Sequence, residues 1–209
     1  MATTATRPRP KQRPQPVPDV TLFSLRQLTV DQYLAMARHG ILTKDDRVEL
    51  LDGWIVNKMT IHPPHSFAVC SLQDLFSFLP QRDWSLRIQQ SIVLPTSVPE
   101  PDVAIAVGAR TLYMDRHPGP KDLPLVIEVA DSSLAADQTV KLGIYAGAKL
   151  PQYWIVNLID RRVEVYTEPR GGKNPLYRKR VDYGPDGVVP VALFGQEFGS
   201  IPVREILPR

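Results

Sequence analysis

The chain has 209 residues, enough for one domain with its own core, and 43% hydrophobic with 22% charged residues excludes a disordered or fibrous class. A net charge of +3 permits an anionic partner without requiring one, since much of the excess lies in a basic tail. The single cysteine excludes an intramolecular disulfide and a cysteine-rich zinc site, and no apolar run is long enough to cross a membrane.

The first twenty residues, MATTATRPRPKQRPQPVPDV, have no apolar core behind their basic residues and so do not read as a secretory signal. Proline at every second to fourth position blocks helix and sheet ladders there. Residues 1–20 are expected to be a disordered, polyproline-like arm. The arm is either a solvated tail or a contact to nucleic acid through Arg7, Arg9, Lys11 and Arg13. Residues 21–209 are expected to form a single domain.

Thr29 and Gln32 form a capping box for a first helix, which Gly40 ends. Asp52-Gly53 between the apolar runs of VELLDGWIV signals a hairpin. Pro63-Pro64 opens a second helix through HSFAVCSLQDLFSFL as far as Pro80. Its apolar residues surround most of the helix, so it is expected to be well buried, with Cys70 as a buried thiol in a reducing cytoplasm. RIQQSIVLP, PDVAIAV and LPLVIEVA read as strands, the last two joined by a loop with Arg110, Arg116, His117 and Lys121. A third helix runs from about Ala135 to Ala148, capped near Ser132 or Ser133. QYWIVNLI and RRVEVYTE follow as strands, then YRKRVDYG and Val188 to Phe194 as shorter ones. The order predicts a mixed α/β domain.

Two carboxylates stand on the buried strands, where an unpaired charge is expensive. Alternation puts Asp102 on a face with Ala104 and Ala106, and Glu128 on a face with Val126 and Ala130. The small neighbours leave room beside each acid, and if the strands adjoin, both acids converge on one ion. Magnesium suits such a pair, because it takes oxygen ligands and typically uses one or two carboxylates with waters and substrate phosphate. Asp137, Lys141 and Tyr145, four apart, share a helix face. Lys141 is placed to orient or deprotonate a water, or to hold charge developing on a phosphate. The residues alone leave a metal site and satisfied structural acids equally open.

PEPDVAI, IEVADSS, D-x-x-x-K-x-x-x-Y and PQYWIVN together resemble the Uma-two family of endonucleases, within the PD-(D/E)XK, restriction-endonuclease-like superfamily. LTVDQYLAMA, RVELLDGWIV and PPHSFAVCSL resemble its N-terminal blocks in the same order, so the likeness spans about residues 25 to 165. It implies a restriction-endonuclease-like core, a central mixed β-sheet flanked by helices. It implies Asp102 and Glu128 as metal ligands, and Glu49 either as a third acid or as an outward-facing strand carboxylate. The superfamily's common lysine position, two after Glu128, is Ala130 here, and the resemblance carries that role to Lys141 on the next helix. Asp131-Ser132-Ser133 and Asn157 depart from the family's usual serine-proline and aspartate.

The resemblance also marks His65, which either contacts a phosphate, positions Glu49, or is a capping or core residue. Asp137 is expected to hold Lys141 or the helix start, and Tyr145 to orient the site or pack. Trp154 and Tyr153 read as core. The expectation is a magnesium-dependent endonuclease, with manganese as a substitute, acting on nucleic acid and DNA in the first instance. Cleavage of both duplex strands makes a two-fold homodimer economical. The alternatives are a catalytically inactive nucleic-acid-binding or assembly module on the same fold, and a buried ion-pair network without chemistry.

Overall fold

Residues 24–209 are described by a computed structural model, and the arm expected over residues 1–20 lies outside them. Helix α1, Val30–Arg38, begins with the expected capping box: Gln32 N–H donates to Thr29 Oγ1 at 3.2 Å, and Thr29 N–H donates to Gln32 Oε1 at 2.9 Å. Strands β1, Val48–Leu51, and β2, Trp54–Asn57, form the expected hairpin. Its turn residues Asp52 and Gly53 have φ of 45° and 80°, the positive values a two-residue hairpin turn needs. A side chain at Gly53 would also start 2.7 Å from Gln27 Cβ.

Helix α2, Pro63–Leu75, starts on its prolines but stops before Phe76 rather than running to Pro80. Its burial differs from the expectation. Only Ala68, Val69 and Leu72 are buried, because the helix lays one stripe on the sheet. Phe67 and Cys70 face outward, so the thiol expected in the core is exposed.

Six strands make the central mixed sheet, in the order β3-β4-β5-β6-β7-β8. They are β3, Trp84–Ile88; β4, Val103–Val107; β5, Leu125–Ala130; β6, Gln152–Asn157; β7, Arg162–Arg170; and β8, Leu176–Tyr183. The pair β5 and β6 is parallel and all other neighbours are antiparallel. β3 lies earlier than RIQQSIVLP suggested. Gln89, at φ 49°, ends the ladder, and the chain to Pro95 is irregular.

Between β5 and β6 runs a helix, Leu134–Ala136, Asp137–Lys141 and Leu142–Gly147, whose middle segment is a π-turn. Such a crossover is what a parallel pair requires. One face of the sheet, with Val103, Ile105, Ile127 and Trp154, packs under α2 and under the hairpin of β9, Val188–Leu193, and β10, Gln196–Pro202. The short helix Val203–Ile206 completes that layer. The other face, with Ala104, Ala106, Val126, Ala130, Tyr153 and Ile155, packs under the crossover helix. Trp154 and Tyr153 are core, as expected.

β10 and the last short helix were not anticipated. A register shift between Glu197 and Ser200 breaks the alternation that would have marked β10. β8, expected to be short, is an eight-residue edge strand. No helix among the described residues is long and apolar enough to cross a membrane.

Candidate active site

β4 and β5 are antiparallel neighbours, with Val103 opposite Ile127. One step further along that register puts Asp102, just before β4, opposite Glu128 within β5. Cross-strand partners share a face, so the acids come together on the alanine-lined side, as alternation predicted. The connection between the strands has no bearing on this; the ladder sets it.

Asp102 is fully engaged. Its Oδ2 lies 3.0 Å from His65 Nε2 and accepts Val129 N–H at 2.9 Å, while Oδ1 accepts Gln89 Nε2 at 3.2 Å. Burial pushes the Asp102 carboxyl up, but the His65 bond and charge, with the Val129 and Gln89 donors, outweigh it and hold the group below its ordinary value. For His65, burial pulls the imidazole down. The Asp102 bond and charge, helped by Asp131 and Asp137, win and raise it. His65 is therefore neither a helix cap nor Glu49's partner. It stands in the first turn of α2 and holds Asp102.

The crossover helix supplies the lysine. Lys141 Nζ donates to Glu128 Oε1 at 3.0 Å and lies 3.7 Å from Glu49 Oε1 and 3.8 Å from Asp137 Oδ1. Tyr145 Oη, fully buried, donates to the same Glu128 oxygen at 2.6 Å. Ser133 Oγ donates to Asp137 Oδ2 at 2.6 Å. Asp137 Oδ1 is buried without a hydrogen-bond partner. The π-turn runs from Asp137 to Lys141, so the extra-wide turn carries both charged groups at its ends. Ala130 is fully buried on the same side of the sheet, and Lys141 brings the positive charge in from the helix instead.

The charges do not balance. Glu49, Asp102, Glu128 and Asp137 are all buried, and among the described residues Lys141 and His65 are the cationic groups paired with them. Burial, with the charges of Asp137, Asp102 and Glu49, pushes the Glu128 carboxyl up to about 8 against the pull of Lys141. Burial also takes Asp137 to about 6. Burial works against the Lys141 ammonium, but Glu128, Glu49 and Asp137 more than offset it and raise Lys141 above its ordinary value.

Glu49 faces inward. Its Oε2 accepts Glu100 N–H at 3.1 Å, so the outward-facing alternative is excluded. Glu100 in turn pairs with Lys58 and accepts Ser91 Oγ at 3.2 Å. Gln89, Glu100 and Lys58 did not stand out in sequence. Glu100 was the legible one, two residues before Asp102 in PEPD. All these groups line one cleft of about 1180 Å³ between the hairpin, α2 and the crossover helix. Three basic side chains outside the cleft are held by acids of their own. Arg116 pairs with Asp122 at 2.6 Å, and Arg162 and Arg180 pair with Glu164 and Asp182.

A second buried carboxylate braces the π-turn. Glu164 accepts both Gln138 Nε2 contacts, at 2.9 and 3.0 Å, and Gln138 lies between Asp137 and Lys141. Asn157 Nδ2 donates to Glu164 at 2.8 Å and to Asp160 at 3.0 Å. An aspartate at 157 would set like charges against both, so the departure at this position suits its neighbours. Burial pushes Glu164 up, but the Asn157, Tyr166 and Gln138 bonds and the Arg180 charge bring it below its ordinary value. A lowered carboxyl stabilises the fold above its unfolded value of 4.5 and loses that contribution as pH falls through the folded value. Glu164→Gln is expected to cost about 1.5–3 kcal/mol at pH 7, since it removes hydrogen bonds to a charged group. Denaturant titrations at pH 7 and pH 3 check this: the deficit should shrink at pH 3, and an equal deficit at both would contradict it.

A central six-strand mixed sheet flanked by helices is the restriction-endonuclease-like α/β fold. The profile of the Uma-two family, described as "Putative restriction endonuclease", matches residues 30–203, and the chain belongs to that family. The structure is similar to a solved one from Anabaena variabilis, described as a putative nuclease belonging to DUF820. The TM-score is 0.60 at 16% identity, covering 86% of this chain and 97% of that one. No curated protein matches the chain.

Proposed function

We propose that this chain is a divalent-cation-dependent nuclease that hydrolyses phosphodiester bonds, with DNA as its substrate. The observation that carries the reading is the convergence of four buried carboxyl groups on one cleft, around Lys141 and His65. Family membership supports it. Among the described residues, no three His, Cys, Asp or Glu groups are already arranged to hold a metal ion. Magnesium does not need such a cage, because water and substrate phosphate fill most of its shell. The Asp137 Oδ1 without a hydrogen bond and the raised Glu128 and Asp137 carboxyls suit a cation arriving with substrate. Asp102 and Glu128 would hold it, with Glu49 as the third acid.

Bound there, magnesium or manganese supplies Lewis acidity at a phosphoryl oxygen and acidity to a coordinated water. The chain's own groups do the rest. Lys141, kept as an ammonium by three carboxylates, holds charge developing on the phosphate rather than acting as a base. Tyr145 fixes the Glu128 carboxylate, and His65, Gln89 and Val129 N–H fix Asp102. The ion-pair reading leaves unexplained why four buried carboxyl groups share two cationic partners.

The test is a panel of supercoiled plasmid, single-stranded DNA and RNA, each with magnesium, manganese or EDTA. Cleavage of DNA with a metal and none in EDTA is expected. No cleavage of any substrate with either metal would move the chain to an inactive binding module.

A further inference from the structure

Apolar side chains stand exposed along the cleft beside the acids. In the hairpin, Glu49 is opposite Val56 and Leu51 is opposite Trp54. Directly opposed residues share a face, so all four point the same way, and all four line the cleft. Trp54 is the diagonal neighbour of Glu49, at roughly 7–8 Å. It is 38% exposed and makes no ring contact among the described residues, whereas Trp84 packs on Phe198 and Trp154 on Phe76. Met59 and Ile61, just past the hairpin, and Val140, on the crossover helix, line the same cleft at 53%, 42% and 49% exposure.

We infer that the site takes a DNA strand with unpaired bases, one base stacking on Trp54 while the adjoining phosphate meets the Lys141 ammonium beside Glu49. This rests on the nuclease reading above. A duplex keeps its base faces stacked inside and offers the cleft sugar, phosphate and base edges, none of which gives the Trp54 indole a face to stack on. The nearby cations that would grip a duplex backbone are few: Lys58 is paired with Glu100, and Arg47 donates to the Met59 carbonyl at 3.2 Å. An unpaired base offers a π-face to the indole. Lys44 at the cleft wall supplies a cation for the strand's phosphates. The volume, about 1180 Å³, exceeds what a small-molecule pocket needs and accommodates a nucleotide beside the acids.

The experiment measures binding by fluorescence anisotropy, with calcium and again with EDTA. The probes are a labelled single-stranded oligonucleotide without self-complementarity, the same strand annealed to its complement as a blunt duplex, and an abasic strand with the same backbone. The single strand should bind tightest. Trp54→Ala should weaken it about tenfold, equivalent to ~1.4 kcal/mol of stacking, and leave the duplex unchanged. Trp54→Phe should recover most of the loss, and the abasic strand should bind wild type no better than the single strand binds Trp54→Ala. Equal affinity for all three probes, untouched by Trp54→Ala, would overturn the inference and leave the nuclease reading standing. No binding of any probe would overturn both. A change of oligomeric state in Trp54→Ala, read by light scattering, would assign the apolar wall to a second copy of the chain instead.

Discussion

Lys141→Ala is expected to destabilise the protein by about 3–5 kcal/mol and to abolish strand cleavage. Removing one partner of a buried ion pair leaves the other charge uncompensated, and that is where the magnitude comes from. Here one ammonium serves Glu128, Glu49 and Asp137. The loss should depend on pH in a definite direction. Glu128 is already raised from 4.5 to about 8, so it binds its proton more tightly folded than unfolded. Its contribution is greatest below 4.5 and falls away as pH rises to about 8. Without Lys141 the carboxyl rises further, and a proton takes over part of the lysine's task. The variant's deficit should therefore be smaller at pH 5 than at pH 8 in thermal melts. Magnesium should also raise the variant's melting temperature more than the wild type's, because it replaces lost positive charge. A deficit independent of both pH and magnesium would mean that Lys141 only packs.

Asp102→Asn is expected to reduce cleavage by about 10³-fold, the equivalent of several kcal/mol of transition-state stabilisation from a cation ligand. The shape is nearly kept, so the fold should survive. The asparagine can still accept Val129 N–H, but it no longer carries the charge that raises His65. In wild type His65 should titrate above its ordinary 6.5, and in the variant the opposing effect of burial should bring it down. That titration is readable by NMR without any turnover. A raised imidazole stabilises the fold below 6.5 and loses that effect as pH rises through its folded value. An unshifted His65 in Asp102→Asn would place another acid as its true partner.

The sheet and the two strand acids were legible because they rest on period-two alternation. Ala104, Ala106, Val126 and Ala130 do lie in one packed layer with the acids' side of the sheet. Lys141 was legible in the helix row with Asp137 and Tyr145, but the resemblance was needed to carry the superfamily's lysine role to it, since the residue two after Glu128 is alanine. The π-turn has no residue-type signature, so its widening between Asp137 and Lys141 was invisible. His65 stood out but its partner did not. Asp102 is 37 positions away, and no local rule links a residue in the first turn of α2 to the end of β4. Gln89, Glu100 and Lys58 were missed for the same reason. The buried reading of α2 and Cys70 failed because apolar residues all round a helix need not all be covered, and Phe67 is half exposed.

The central claim is that Asp102, Glu128 and Lys141 act together in metal-dependent hydrolysis of a nucleic-acid strand. It is tested most directly by single-turnover cleavage of the DNA substrate with magnesium, comparing wild type, Asp102→Ala and Lys141→Ala purified identically. Cleavage by wild type alone, abolished by EDTA, is the predicted result. Cleavage that persists in both variants would contradict the assignment of this cleft.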